Sequence, residues 1–174
     1  MKEPSVRPTQ VERFFPDEDI IVSKTDPKGR ITYVNETFMN IASFTEEELL
    51  GQPHSIIRHP DMPRCVFKLL WDTIESGKEI FAYVKNMAKN GDYYWVFAHV
   101  TPTFSSAGRI TGYHSNRRVP ERHQVQLFSD VYAKLLQEER RHGDWRAGMN
   151  AATAMLTGML AERGVDYERF MFSV

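Results

Sequence analysis

Lys89-Asn90-Gly91-Asp92-Tyr93-Tyr94-Trp95-Val96-Phe97-Ala98-His99-Val100 is a tight turn feeding a strand. Asn-Gly supplies the positive φ values that a two-residue hairpin loop demands. Tyr94, Val96, Ala98 and Val100 then alternate with Trp95, Phe97 and His99, the period of a strand with two distinct faces. Upstream, Phe81, Tyr83 and Lys85 alternate with Ala82, Val84 and Asn86. Downstream, Ser106-Ala107-Gly108 turns the chain into a third alternating run, Ile110 to Ser115. Residues 79–118 therefore read as three strands, and tight loops make such strands antiparallel neighbours.

Further out, residues 18–35 read as another hairpin. Ile20, Ile21 and Val22 lead into the turn Asp26-Pro27-Lys28-Gly29, and Ile31, Tyr33 and Asn35 alternate after it. Between the two strand groups lie short helices. Thr45 and Glu48 fit a capping box, Gly51 stops that helix, and His54 to Ile57 reads as one more turn. Beyond Pro63, Val66, Leu69, Leu70 and Ile74 recur at helical spacing until Gly77. After Pro120, Phe128, Val131, Tyr132, Leu135 and Leu136 form an amphipathic stripe; Gly143 interrupts it, and Met149, Ala152, Leu156, Met159 and Leu160 form a second. Two strands, short helices, three strands and trailing helices describe an α+β domain. The reading is a five-stranded antiparallel sheet covered on one face by short helices, with a small-molecule pocket between the layers. Residues 1–17 are expected to be a flexible lead, 18–119 the domain, and 120–174 a helical extension that packs on the domain or on a second copy.

Composition narrows the function. The 174 residues carry 22 Lys+Arg against 23 Asp+Glu, a formal charge of −1, which argues against a nucleic-acid binder. Cys65 stands alone, so an intrachain disulfide and a multi-cysteine zinc site are excluded, and a reducing compartment is expected. No apolar run reaches the length of a membrane span, and residues 1–16 hold no secretory h-region. The expectation is a cytoplasmic protein without membrane insertion. No P-loop, G-x-S-x-G or G-x-G-x-x-G occurs, so no enzyme is expected.

Three segments resemble the PAS sensor family: Asp26 to Asn35 its first hairpin, Phe44 to Pro53 its helix and glycine turn, and Lys89 to Val96 its second hairpin. His54-Ser55-Ile56-Ile57-Arg58-His59-Pro60-Asp61-Met62-Pro63 and Val84-Lys85-Asn86 resemble the bacterial aerotaxis-receptor branch. That resemblance implies noncovalently bound FAD reporting redox or oxygen status. It also implies flavin-site roles for Asn35, Arg58, His59, Asp61, Trp71 and Asn86. Where the branch has a second tryptophan, this chain reads Glu79-Ile80-Phe81, so Phe81, with Tyr94, is a candidate for the pocket wall. The implied partner is a membrane-bound chemotaxis transducer or another signalling protein, and a homodimer is expected.

The residue chemistry suits a flavin. An Asn amide offers donor and acceptor in one plane, so Asn86 can read the ring's edge. Arg58 and His59, on a proline-fixed loop, suit a pyrophosphate; Asp61 orients that loop. Trp71 can stack on a ring or serve as plain core. Asn35 also reads as an N-cap. His54 stands where photochemical flavin domains of this fold carry their cysteine, so light-driven adduct formation is not expected. Haem b is the rival cofactor, in a gas sensor with His54, His59, His99 and His114 as nominal ligands, and a cofactor-free dimerisation or interaction module is the other alternative.

Overall fold

The first hairpin joins β1 (Ile21–Thr25) to β2 (Ile31–Val34), and the chain then enters α1 (Glu36–Ala42). The computed structural model describes residues 6–174. α2 (Glu46–Leu49) carries the full capping box of Thr45 and Glu48; a 3₁₀ turn (His54–Ile57) and α3 (Arg64–Glu75) follow. β3 (Ile80–Met87), β4 (Tyr93–Phe104) and β5 (Ile110–Arg118) complete the sheet. All pairings between strands are antiparallel, in the order β2-β1-β5-β4-β3. Strand β5 sits in the centre and runs three residues past Ser115, because Arg117 and Arg118 still pair with β1 and β4.

The first helices lie on one sheet face and bury Phe38, Leu49, Ile57 and Val66. The other face is covered too. α4 (Arg122–Arg140) uses its apolar stripe there: Phe128 stacks on Tyr83 with ring centroids 4.2 Å apart, and the Tyr132 hydroxyl donates to the Tyr83 carbonyl at 2.6 Å. Each such aromatic contributes roughly 1.5–3 kcal/mol by leaving water. The α4 stripe is thus spent within the chain. α5 (Trp145–Arg163) crosses α4 where Gly148 meets the Glu139 carbonyl, so closely that a Cβ there would collide with that oxygen.

One expectation is corrected and one feature is added. Of the 1–17 lead, residues 1–5 lie outside the described residues, but residues 9–13 are tied down: Thr9 N–H donates to Gly91, Arg13 N–H to Tyr93, and Tyr93 N–H back to Val11. Extended backbone beside an open strand end pairs with it. Beyond the two apolar stripes the C-terminal extension holds a third helix, because Asp166 caps α6 (Tyr167–Ser173), which brings Phe170 and Met171 into the core. Among the described residues no helix is long and apolar enough to cross a membrane.

Candidate functional site

The sheet and the α1–α3 layer do not meet everywhere. Between them is a cavity of about 480 Å³, within the usual size of small-molecule sites. β3, β4 and β5 supply its floor through Val84, Asn86, Ala98 and Val100, one side of each alternation, and through Arg117. The 3₁₀ turn and α3 form its wall, and Trp145 and Met149 of α5 reach its edge.

Its charge is one-sided. Lys28, Arg58, Arg64, Lys68 and Arg117 line it, and no carboxylate does. Lys68 has a partner in Asp72 on the next turn of α3. Arg58 lies over the Phe67 ring, its guanidinium carbon 4.0 Å from the centroid, and burial followed by the nearby Arg64 charge lowers its pKa.

Arg117 is the deepest of these cations. It is fully buried, and among the described residues no Asp or Glu pairs with it. Its Nη2 donates to Ser23 Oγ; Ser23 lies 3.1 Å from His54 Nε2, and Arg117 Nη1 lies 3.5 Å from the same nitrogen. A guanidinium only donates, so His54 Nε2 is an acceptor and the Ser23 hydroxyl hydrogen points to it. Burial, then the Arg117 charge, pushes His54 down to about 3, so the ring is neutral. Arg117 Nε has no partner at all. Burial pulls Arg117 itself down to about 10, still charged near neutral pH.

Of the eight site residues expected from sequence, Arg58, Trp71 and Asn86 line the cavity. Trp71 stands edge-on to Tyr113, ring centroids 5.5 Å apart. Its indole presses on the first hairpin turn: a Cβ on Gly29 would lie 2.8 Å from it, and Gly29 has φ +78°. Asn86 is 5% exposed and pairs in register with Tyr94, whose hydroxyl is buried beside Asn86 and Arg117 without a hydrogen bond of acceptable geometry. Burial raises the Tyr94 pKa, so that hydroxyl keeps its proton.

The other sequence candidates are not on the cavity lining. Asn35 is an N-cap and a clip: its Oδ1 accepts from Phe38 N–H and Val22 N–H, and its Nδ2 donates to the Ile20 carbonyl at 2.7 Å. His59 and Asp61 fix the loop before α3. His59 Nδ1 accepts from Asp61 N–H, and Asp61 Oδ2 holds Lys85 Nζ at 2.8 Å. Although Asp61 Oδ2 is also 3.6 Å from His59 Nδ1, burial and the Lys85 charge push His59 down to about 4, so the pair is not ionic. Partial burial opposes ionisation of Asp61, but Lys85 outweighs it and lowers that carboxyl. Phe81 faces the opposite side of β3, parallel to His99 and against Phe172 of α6.

Sequence reading missed Arg117, Ser23 and His54 as one cluster. Continuing the alternation of β5 past Ser115 would have put Tyr113, Ser115 and Arg117 on one face.

The chain has known likenesses. The PAS fold family matches residues 31–117, half of the chain. The aerotaxis receptor of Escherichia coli K12 is 38% identical over 127 residues, 73% of this chain and 25% of the receptor. A nitrogen fixation regulatory protein of Klebsiella pneumoniae is 25% identical over 99 residues, 57% of this chain and 20% of that protein. The chain thus spans a quarter or less of these two relatives. Among solved structures, a light-oxygen-voltage domain studied with a flavin analogue superposes with a TM-score of 0.56 at 17% identity, over 71% of this chain and 87% of that one. The PAS domain of a Colwellia psychrerythraea protein gives 0.54 at 17%, over 58% of this chain and 86% of that one.

Proposed function

From the premise that the chain belongs to the PAS-fold family, on its aerotaxis-receptor-like branch, we propose that its cavity holds FAD noncovalently and that the chain signals redox or oxygen status to a partner protein. The observation that carries this reading is the cation-lined, carboxylate-free cavity with a tryptophan on its wall and a buried Asn on its floor. FAD brings two phosphates and a flat ring with donor and acceptor edges, and this donor set fits both. When bound, it supplies a group that gains and loses electrons.

Arg58, Arg64 and Lys28 offer charge to the phosphates, where guanidinium forks match phosphate oxygens. Trp71 offers a flat apolar face. Asn86 offers its amide, and Arg117, held in place by Ser23 and His54, offers its unpartnered Nε at the cavity's deep end. His59 and Asp61 act indirectly, by locking the loop that presents Arg58.

A signal has a short path outward. Trp145 and Met149 carry the cavity edge onto α5, and Glu139 of α4 accepts from the Cys65 N–H at the start of α3 at 2.9 Å. A change in the ligand that favours one arrangement of α3 and α5 by a few kcal/mol shifts the population presented to the partner. A membrane-bound chemotaxis transducer or another signalling protein is the proposed partner, and the role is sensing rather than catalysis. A homodimer would use surface other than the α4 stripe.

Haem b is the second reading. The cavity's histidine is His54, and its Nε2 is engaged by Ser23 and Arg117, which favours flavin. FAD titrations of Arg58→Ala and Asn86→Ala test the site. Each is expected to weaken binding about tenfold, for a lost bond of about 1.4 kcal/mol. Unchanged affinity in both overturns the assignment.

A further inference from the structure

Hydrogen bonding alone does not use one feature of the site in full: a buried cation with nothing to neutralise it. Every element around Arg117 is accounted for. β1 supplies Ser23, the 3₁₀ turn supplies neutral His54, and β4 supplies the protonated Tyr94 hydroxyl. α1 supplies the Phe38 ring, 4.8 Å below the guanidinium carbon. No carboxylate faces it from any of these elements. The Ser23 and His54 bonds fix the guanidinium, and its Nε remains unpartnered at a cavity-lining position. A buried charge is costly when nothing opposes it, so a ligand carrying the opposite charge is favoured there.

We propose that Arg117 is the counter-charge for the reduced flavin ring, so that the site stabilises that ring as a mono-anion. This rests on the flavin reading above. Reduction adds two electrons from a reduced carrier, which is itself oxidised. Taken up with two protons the ring stays neutral; with one proton it keeps a negative charge. Arg117 favours the second outcome and thereby ties the two redox states to two charge states of the cavity. Those charge states act on a wall that α3 and α5 share.

The test uses the full chain loaded with FAD and reduced anaerobically with dithionite. The absorption spectrum is followed over pH, since neutral and anionic reduced flavins absorb differently. In the wild type the ring is expected to remain anionic at a pH where free reduced flavin is protonated. Arg117→Met is expected to raise the pH of protonation by at least about one unit, a tenfold change in proton affinity. Arg117→Lys restores most of the wild-type behaviour, which a purely structural role would not do. If Arg117→Met fails to retain FAD, the wild-type titration decides alone. Wild-type protein that binds FAD but whose reduced ring protonates like free flavin overturns this proposal and leaves the flavin reading standing. Wild-type protein that takes up no FAD overturns both.

Discussion

Acid should destabilise this protein before its carboxylates titrate, and His54 should account for much of that loss. The folded chain keeps His54 neutral because it is buried beside Arg117, with its pKa near 3 rather than 6.5. The unfolded chain binds a proton there below about pH 6.5. Falling pH therefore favours the unfolded state: this contribution is fully present above 6.5 and is lost progressively down to about 3. At pH 5 the loss is about 2 kcal/mol, from roughly 1.4 kcal/mol per pH unit over the interval below 6.5. His59, held near 4 by burial and Lys85, adds a similar loss, so the two together remove about 4 kcal/mol between pH 8 and pH 5. The carboxylates held below their ordinary range, Asp61 and Asp92 among them, lose their stabilisation at lower pH, so the window isolates the histidines. Urea unfolding of the FAD-free protein at pH 8 and pH 5 measures the loss. His54→Gln should reduce it by about half, whatever the variant's absolute stability. Equal losses in wild type and His54→Gln would refute the assignment of a buried neutral imidazole.

Two further outcomes follow from the C-terminal helices. Glu139→Ala leaves the buried Cys65 N–H unpartnered and should cost about 1–3 kcal/mol in urea unfolding; no change would mean that water replaces the bond. Gly148→Ala sets a Cβ against backbone at the α4–α5 crossing, so α5 must shift. It should destabilise by about 1–3 kcal/mol and increase hydrogen exchange in α5 above α4, and an unchanged exchange profile would contradict the close crossing.

The sheet was legible because its signals are local. Asn90-Gly91 sets one hairpin, Asp26 to Gly29 another, and the period-two runs name the faces. The same period assigns Phe81 and Asn86 to opposite faces of β3, yet both stood as pocket candidates because resemblance and aromatic character were weighed above parity. Asn35 satisfied its capping signal so fully that both acceptor positions of its amide oxygen are taken by backbone. Arg117 was hidden for a physical reason: an arginine at a strand's end usually faces water. Its burial depends on His54 and Ser23, far away in sequence and brought to it by the fold. The docked lead was illegible for a similar reason. Residues 9–13 have no pattern of their own and become ordered only against the start of β4.

The central claim is that the cavity binds FAD, and the absorption spectrum of the full chain, as purified and after incubation with FAD, tests it most directly. The account predicts the two-band flavin spectrum, with FAD recovered in the supernatant after denaturation. A protein that stays colourless after incubation, or one that shows a Soret band with no releasable flavin, would contradict it.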